Sequence, residues 1–216
     1  MGYRIDLKKD LPMLAIASLP ILYGLFFWST IPDQVPLHWN MSGEIDSYGS
    51  KYVAMFLPLG IYLFMVVIPF IDPRRVNYGI FSRSYYGIRL GIILFLSILN
   101  VLTLSNVGSL TQSPTAIVIG VLGLFAFIGN YLRGVKSNWF VGIKTPWTLD
   151  NELVWNKTHR FASNLWFWGS ILAIGVVFFV PSIQNFEFIL FYGISIGLLP
   201  VLYSFIIHRR LEKEVS

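Results

Sequence analysis

The sequence predicts an all-α integral membrane protein with six transmembrane helices and both termini in the cytoplasm. Three observations lead there: the composition, the spacing of the apolar stretches, and the distribution of basic residues between them. Of 216 residues, 55% are hydrophobic and only 12% charged, against roughly a quarter charged in soluble domains, and the mean hydropathy is +0.65. With about 20 apolar residues needed per crossing, this length leaves no room for a large soluble domain.

Six stretches have the required length and lack of charge: about Leu11 to Ser29, Tyr52 to Ile71, Gly87 to Leu104, Thr115 to Leu132, Phe161 to Val180 and Phe188 to Ile207. The first follows Lys8 and Lys9 but is longer than a signal-peptide core, with no small-x-small site after it, so it reads as a retained helix. Fifteen of the sixteen Lys and Arg fall in the amino terminus, the second and fourth connections, the tail, or just inside the third span at Arg89; Lys51 is the exception. The positive-inside rule then puts those segments in the cytoplasm. The net charge of +5 follows from topology and does not call for direct nucleic-acid contact.

Inside the spans the polar residues are amides and hydroxyls such as Asn100 and Ser170, and Arg89 and Glu187 are expected at span ends, snorkelling to the interface. Pro20, Pro58, Pro69 and Pro200 fall in or near spans. Gly87 with Gly91, and Gly193 with Gly197, have the small-x-x-x-small spacing expected to pack helices within the chain. The second connection, from Asp72 to Tyr86, is basic and aromatic and is expected on the inner leaflet.

Two connections are too organised for passive linkers, and they divide the chain. Residues 1–86 hold the first two spans, an outer loop at 31–51 and the basic inner connection; residues 87–216 hold four spans and a polar segment at 129–160. In the outer loop Pro32, Pro36, Gly43 and Gly49 fix turns, giving a compact ordered cap whose candidate binding residues are Pro36, His38, Trp39, Asn40, Gly43 and Asp46. No ligand spacing supports a metal among His38, Glu44 and Asp46.

The inner segment contributes Asn130, Asn138, Gly142, Lys144, Thr145, Pro146, Trp147, Thr148, Trp155, Thr158, His159 and Arg160 as candidate binding or signalling residues. Thr145 before Pro146 is biased away from helix, and Thr148 or Asp150 is placed to cap a helix running through Trp155 and His159 into the fifth span. Trp155 and His159, four apart, share a face. Trp139, Trp147 and Trp155 can equally be interfacial anchors.

No zinc-protease helix, nucleophile elbow or phosphate loop is present, and the three histidines fall on both sides of the membrane, so no catalysis and no cofactor are expected. Cysteine is absent, which removes disulfide and thiolate chemistry.

The run Gly129-Asn130-Tyr131, Asn138, Gly142 to Leu149, Val154-Trp155 and Lys157 to Arg160 resembles the signature of the SdpI family of bacterial membrane immunity proteins. The outer loop, with Pro32, Pro36, His38, Trp39, Gly43, Asp46 and Ser50-Lys51, is similar to the small domain of unknown function that often precedes it. Lys144 stands where the family more usually has Arg, and Ser163 where it often has Gly. The resemblance implies immunity to a secreted, membrane-active peptide toxin, with a second role in holding a cytoplasmic helix-turn-helix repressor at the membrane. The alternative from another class is a small-solute transporter or channel, using the proline-containing spans and the polar mouth around Asn130, Asn138 and Thr145. Oligomeric state is not legible.

Overall fold

The computed structural model describes residues 3–40, 44–105, 114–180 and 186–215. Six long helices cross the molecule: α1 (Leu7–Phe26), α2 (Lys51–Ile71), α4 (Ser82–Leu104), α5 (Pro114–Leu132), α7 (Glu152–Phe179) and α8 (Phe186–Val215). Each contains a stretch long and apolar enough to span a bilayer. Two short helices, α3 (Arg75–Ile80) and α6 (Pro146–Asp150), and one hairpin, β1 (Gln34–Trp39) with β2 (Ile45–Ser50), complete the described chain.

Packing divides the helices into two triplets. In the first, α1, α2 and α4 all contact one another; in the second, α7 packs extensively on α5 and also on α8, and α4 against α5 joins the two. Gly129 sets the closeness of α5 and α7, because a Cβ there would sit 2.7 Å from the Phe167 backbone nitrogen. Ser163 Oγ then donates to the Gly129 carbonyl at 2.6 Å.

The first triplet differs from expectation at Arg89. It does not snorkel: it is 1% exposed and pairs at 2.5 Å with Asp10 of α1, itself 4% exposed. Tyr3 Oη lies 2.9 Å from the guanidinium, and Tyr62 Oη donates to the Asp10 carbonyl at 3.4 Å. A carboxylate in the first turn of α1 neutralises a cation that a lone helix would have to lift into the headgroups.

Of the two glycine pairs, one packs helices within the chain as expected and the other does not. Gly87 and Gly91 are covered by the Tyr131 and Phe127 rings of α5, so they make room for aromatic side chains, whereas a Cβ at Gly193 or Gly197 would meet nothing within 4 Å. Nor does the second connection lie with its aromatic side toward lipid. Tyr78, Phe81 and Tyr85 are buried, in the same core cluster as Trp155, Val135 and Leu132, because a polar hub described below draws α3 under the bundle.

Candidate functional site

The loop cap expected at 31–51 is the antiparallel hairpin. Its register pairs Gln34 with Ser50 and Trp39 with Ile45, with irregularities on either side of His38. Pro36, opposite Tyr48, has no N–H to give to a ladder, which suits it to such an irregular two-stranded element. Short polar contacts close the tip: Asn40 N donates to the Glu44 carbonyl at 2.9 Å, and Glu44 N to Asn40 Oδ1 at 2.9 Å. His38 Nδ1 lies 2.5 Å from Asp46 Oδ1. Gly43, the remaining candidate of this loop, lies outside the described residues. At the hairpin base Lys51 is buried, held by Asp33 at 2.9 Å, by the Ile31 carbonyl at 3.3 Å and by the Trp28 ring at 3.9 Å.

At the opposite end of the helices the segment after α5 folds into a knot around Asn138, which is 0% exposed. Its Oδ1 accepts from Phe140 N at 2.9 Å and Val141 N at 2.6 Å, and its Nδ2 donates to the Lys136 and Val141 carbonyls at 2.9 and 2.8 Å. Tyr78 Oη of α3 lies within reach of both Asn138 Oδ1 (3.1 Å) and Asp72 Oδ2 (3.0 Å). Burial, reinforced by the hydrogen bond to Asp72, pushes the Tyr78 phenol above its ordinary pKa and keeps it a donor. Asp72 also accepts from Trp139 N at 2.9 Å and Arg74 N at 2.7 Å. Arg74 donates in turn to Ser137 Oγ and to the Leu149 carbonyl, and Asn77 Nδ2 to the Ser137 carbonyl. This hub ties the connection after α2 to the one after α5.

A second layer is built on α7. Thr145, in extended conformation, caps α6 through a reciprocal bond pair with Thr148, with Pro146 opening the helix. Asn151 caps α7 by accepting from Leu153 N and Val154 N. The single cap expected at Thr148 or Asp150 is replaced by two, Thr145 for α6 and Asn151 for α7, because Thr148 is the buried partner of the first cap and donates to the Ile143 carbonyl at 2.9 Å.

One turn on, Trp155 and His159 stack with centroids 4.0 Å apart and planes at 19°. Trp155 Nε1 donates to the Val135 carbonyl at 2.8 Å. His159 Nε2 accepts from Ile143 N at 3.0 Å and Nδ1 lies 2.8 Å from the Trp155 carbonyl, an arrangement that fits the neutral Nδ1–H tautomer. Gly142, at φ 114, turns the chain against this imidazole; a Cβ there would clash with Nε2.

Trp147 reaches away from the knot to α8. Its Nε1 donates to Ser204 Oγ at 2.7 Å, and its ring stacks on His208 at 5.8 Å and 12°.

Most candidates of the 129–160 segment thus converge: Asn138, Gly142, Thr145, Pro146, Thr148, Trp155 and His159 belong to the knot, and Trp147 links it to α8. Thr158 is fully buried beside them with an Oγ1 that has no partner among the described residues. Asn130, Lys144 and Arg160 are exposed, Lys144 donating to the Phe140 carbonyl at 3.0 Å. As for anchoring, Trp155 is 1% and Trp139 51% exposed, so the indoles do not act alike.

Asp72, Arg74, Tyr78, Ser137, Ser204 and His208 were not legible as site residues. Asp72 carried one usable signal, a lone carboxylate in an otherwise basic connection. Among the described residues no group of three or more His, Asp or Glu is arranged to hold a metal.

The knot leaves its own atoms little to offer a substrate. Thr158 Oγ1 apart, its polar groups satisfy one another, so it can clamp the helix ends and present a fixed outer surface. Residues 135–204, which include the knot and Ser204, match the model of the SdpI/YfhL protein family, and residues 15–61, which include the hairpin, match a domain of unknown function, DUF1648. The chain is 25% identical to "Immunity protein SdpI" of Bacillus subtilis (strain 168) over 214 residues, 97% of this chain and 99% of that protein. No solved structure matches.

Proposed function

On the premise that this chain is a member of the SdpI/YfhL family, a multi-pass cell-membrane protein, we propose that it protects the cell against a secreted, membrane-active peptide toxin. In this reading both termini and the knot face the cytoplasm and the hairpin faces outside. The distribution of basic residues, fifteen of sixteen on alternate segments, supports that orientation. The hairpin and neighbouring helix surfaces then meet the toxin. The knot keeps the inner mouth closed and offers its exposed rim, with Trp139, Lys144, Lys157 and Arg160, to a cytoplasmic repressor held at the membrane.

The observation that carries this reading is the tie from Trp147 to Ser204 and His208. It joins the motif segment to α8, whose other end runs to the hairpin side of the bundle. A change at one face has a rigid element through which to reach the other.

Cells carrying Trp147→Ala or His159→Ala, checked for membrane insertion, are challenged with toxin-producing neighbours and assayed for repressor recruitment. Loss of protection or recruitment with insertion intact is expected. Ser204→Ala, which deletes one hydroxyl, serves as the mild companion. Normal protection and signalling in both Trp147→Ala and His159→Ala defeats the assignment. Solute uptake into liposomes by the purified protein, without peptide binding, would favour the transporter alternative.

A further inference from the structure

Where the hairpin meets α5 and α8, the surface opens into a cavity of about 720 Å³, within the size range of ligand pockets. Its two sides differ chemically. His38, Trp39, Asn40 and Asp46 of the hairpin form a polar roof, while the helices contribute apolar walls such as Phe125 and Ile194. Gly193 of α8 also lines the cavity, and a Cβ there would meet nothing within 4 Å. The chain does not fill this floor.

The charge is one-sided. The three connections on this side (27–51, 105–114 and 180–187) carry Asp33, Glu44, Asp46 and Glu187 against Lys51 alone. Lys51 is buried and occupied by Asp33, the Ile31 carbonyl and Trp28. No Lys or Arg lines the cavity. On the cavity wall Asp46 uses Oδ1 toward His38, and its Oδ2 has no partner among the described residues; Glu44 does not line the cavity but is exposed at the hairpin tip, accepting from the lining residue Asn40 at 3.1 Å.

We propose that this cavity binds a cationic, amphipathic peptide segment. Its apolar face lies on the α5 and α8 walls and a Lys or Arg side chain meets Asp46, with Glu44 on the adjoining hairpin tip adding negative charge. Charge complementarity selects this occupant: an anionic lipid headgroup would face the Asp46 carboxylate with Glu44 close by, and a purely apolar chain would bring no positive charge to either acid. The proposal rests on the toxin-facing role given above to the hairpin and names its site and chemistry.

The test uses the full chain in phosphatidylcholine nanodiscs. It is titrated with a labelled synthetic amphipathic helix bearing lysines on its polar face, and with the same peptide carrying glutamates instead; binding to empty nanodiscs is subtracted. The lysine peptide is expected to bind at least about tenfold tighter than the glutamate peptide, a tenfold ratio being about 1.4 kcal/mol. Glu44→Gln with Asp46→Asn, both at exposed positions, should bring that ratio to about one. Gly193→Phe fills the floor without altering charge and should weaken the lysine peptide about tenfold. Equal binding of the two peptides by the unaltered protein, a preference that survives the double substitution, or undiminished binding by Gly193→Phe would each overturn the proposal. Cells that remain toxin-sensitive while the purified protein behaves as expected overturn the immunity reading and leave the cavity assignment standing.

Discussion

The hairpin and the knot are both polar segments between apolar helices, yet they use polarity in opposite ways. In the knot, Asn138, Thr148, Thr158 and His159 are 0% exposed, and apart from Thr158 their polar atoms are bonded to other groups of the knot. In the hairpin, the side chains of His38 and Asp46 are 67% and 42% exposed and bond mainly across a two-stranded tip. A buried hydrogen bond is costly to break because its partner is stranded away from water, whereas an exposed one exchanges with solvent at little cost. The knot is therefore built to hold one geometry, whereas the hairpin's bonds can exchange with water.

That contrast can be broken by substitution. The largest effect is expected at Asn138→Ala, which strands the Phe140 and Val141 amides and frees Tyr78. With each buried unpaired group costing about 1–3 kcal/mol, a loss of about 4 kcal/mol is expected from chemical unfolding in detergent. A loss below about 1 kcal/mol would put the knot on the same footing as the hairpin.

Gly142→Ala comes next, at about 2 kcal/mol. It forces a side chain into a positive-φ backbone and against the His159 ring. In a His159→Gly background, itself destabilised, the added cost of Gly142→Ala should be smaller if the clash is the cause.

Trp147→Phe keeps an aromatic ring beside His208 but removes the bond to Ser204, at about 1 kcal/mol. The expected readout is a small drop in melting temperature with a larger loss of protection, since the tie to α8 is what changes. Smallest of all, Asp46→Asn should alter stability by no more than about 0.5 kcal/mol. An Asp46→Asn effect as large as that of Trp147→Phe would erase the distinction between the two regions.

How much of this could be read from the sequence depended on the distance over which each feature is encoded. The spans are written in contiguous hydropathy, and all six helices formed, α7 running back through His159 and Trp155 to Glu152. The stacking of Trp155 on His159 follows from helical periodicity over four residues. The hairpin has no clean alternation of apolar and polar residues, and with Pro36 in its first strand the loop could be read as ordered but not as β. The Asn138 hub joins residues 60 or more apart in the chain. No local pattern announces such a partner, so the roles of Asp72 and Tyr78 are not legible in the sequence, whereas Asn138 is a candidate on its own. Ser204 and His208 sit in an ordinary helical stretch whose meaning is set by Trp147.

The ion pair between Asp10 and Arg89 has a consequence for biogenesis. Its partners are 79 residues apart, so during synthesis the first helix leaves the ribosome long before its counter-ion exists. A carboxylate cannot settle in hydrocarbon unpaired, so the first turn of α1 must wait in the headgroup layer until α4 arrives. The first triplet locks when the third crossing is complete, and a nascent chain arrested before Arg89 should leave Asp10 accessible to water-soluble reagents.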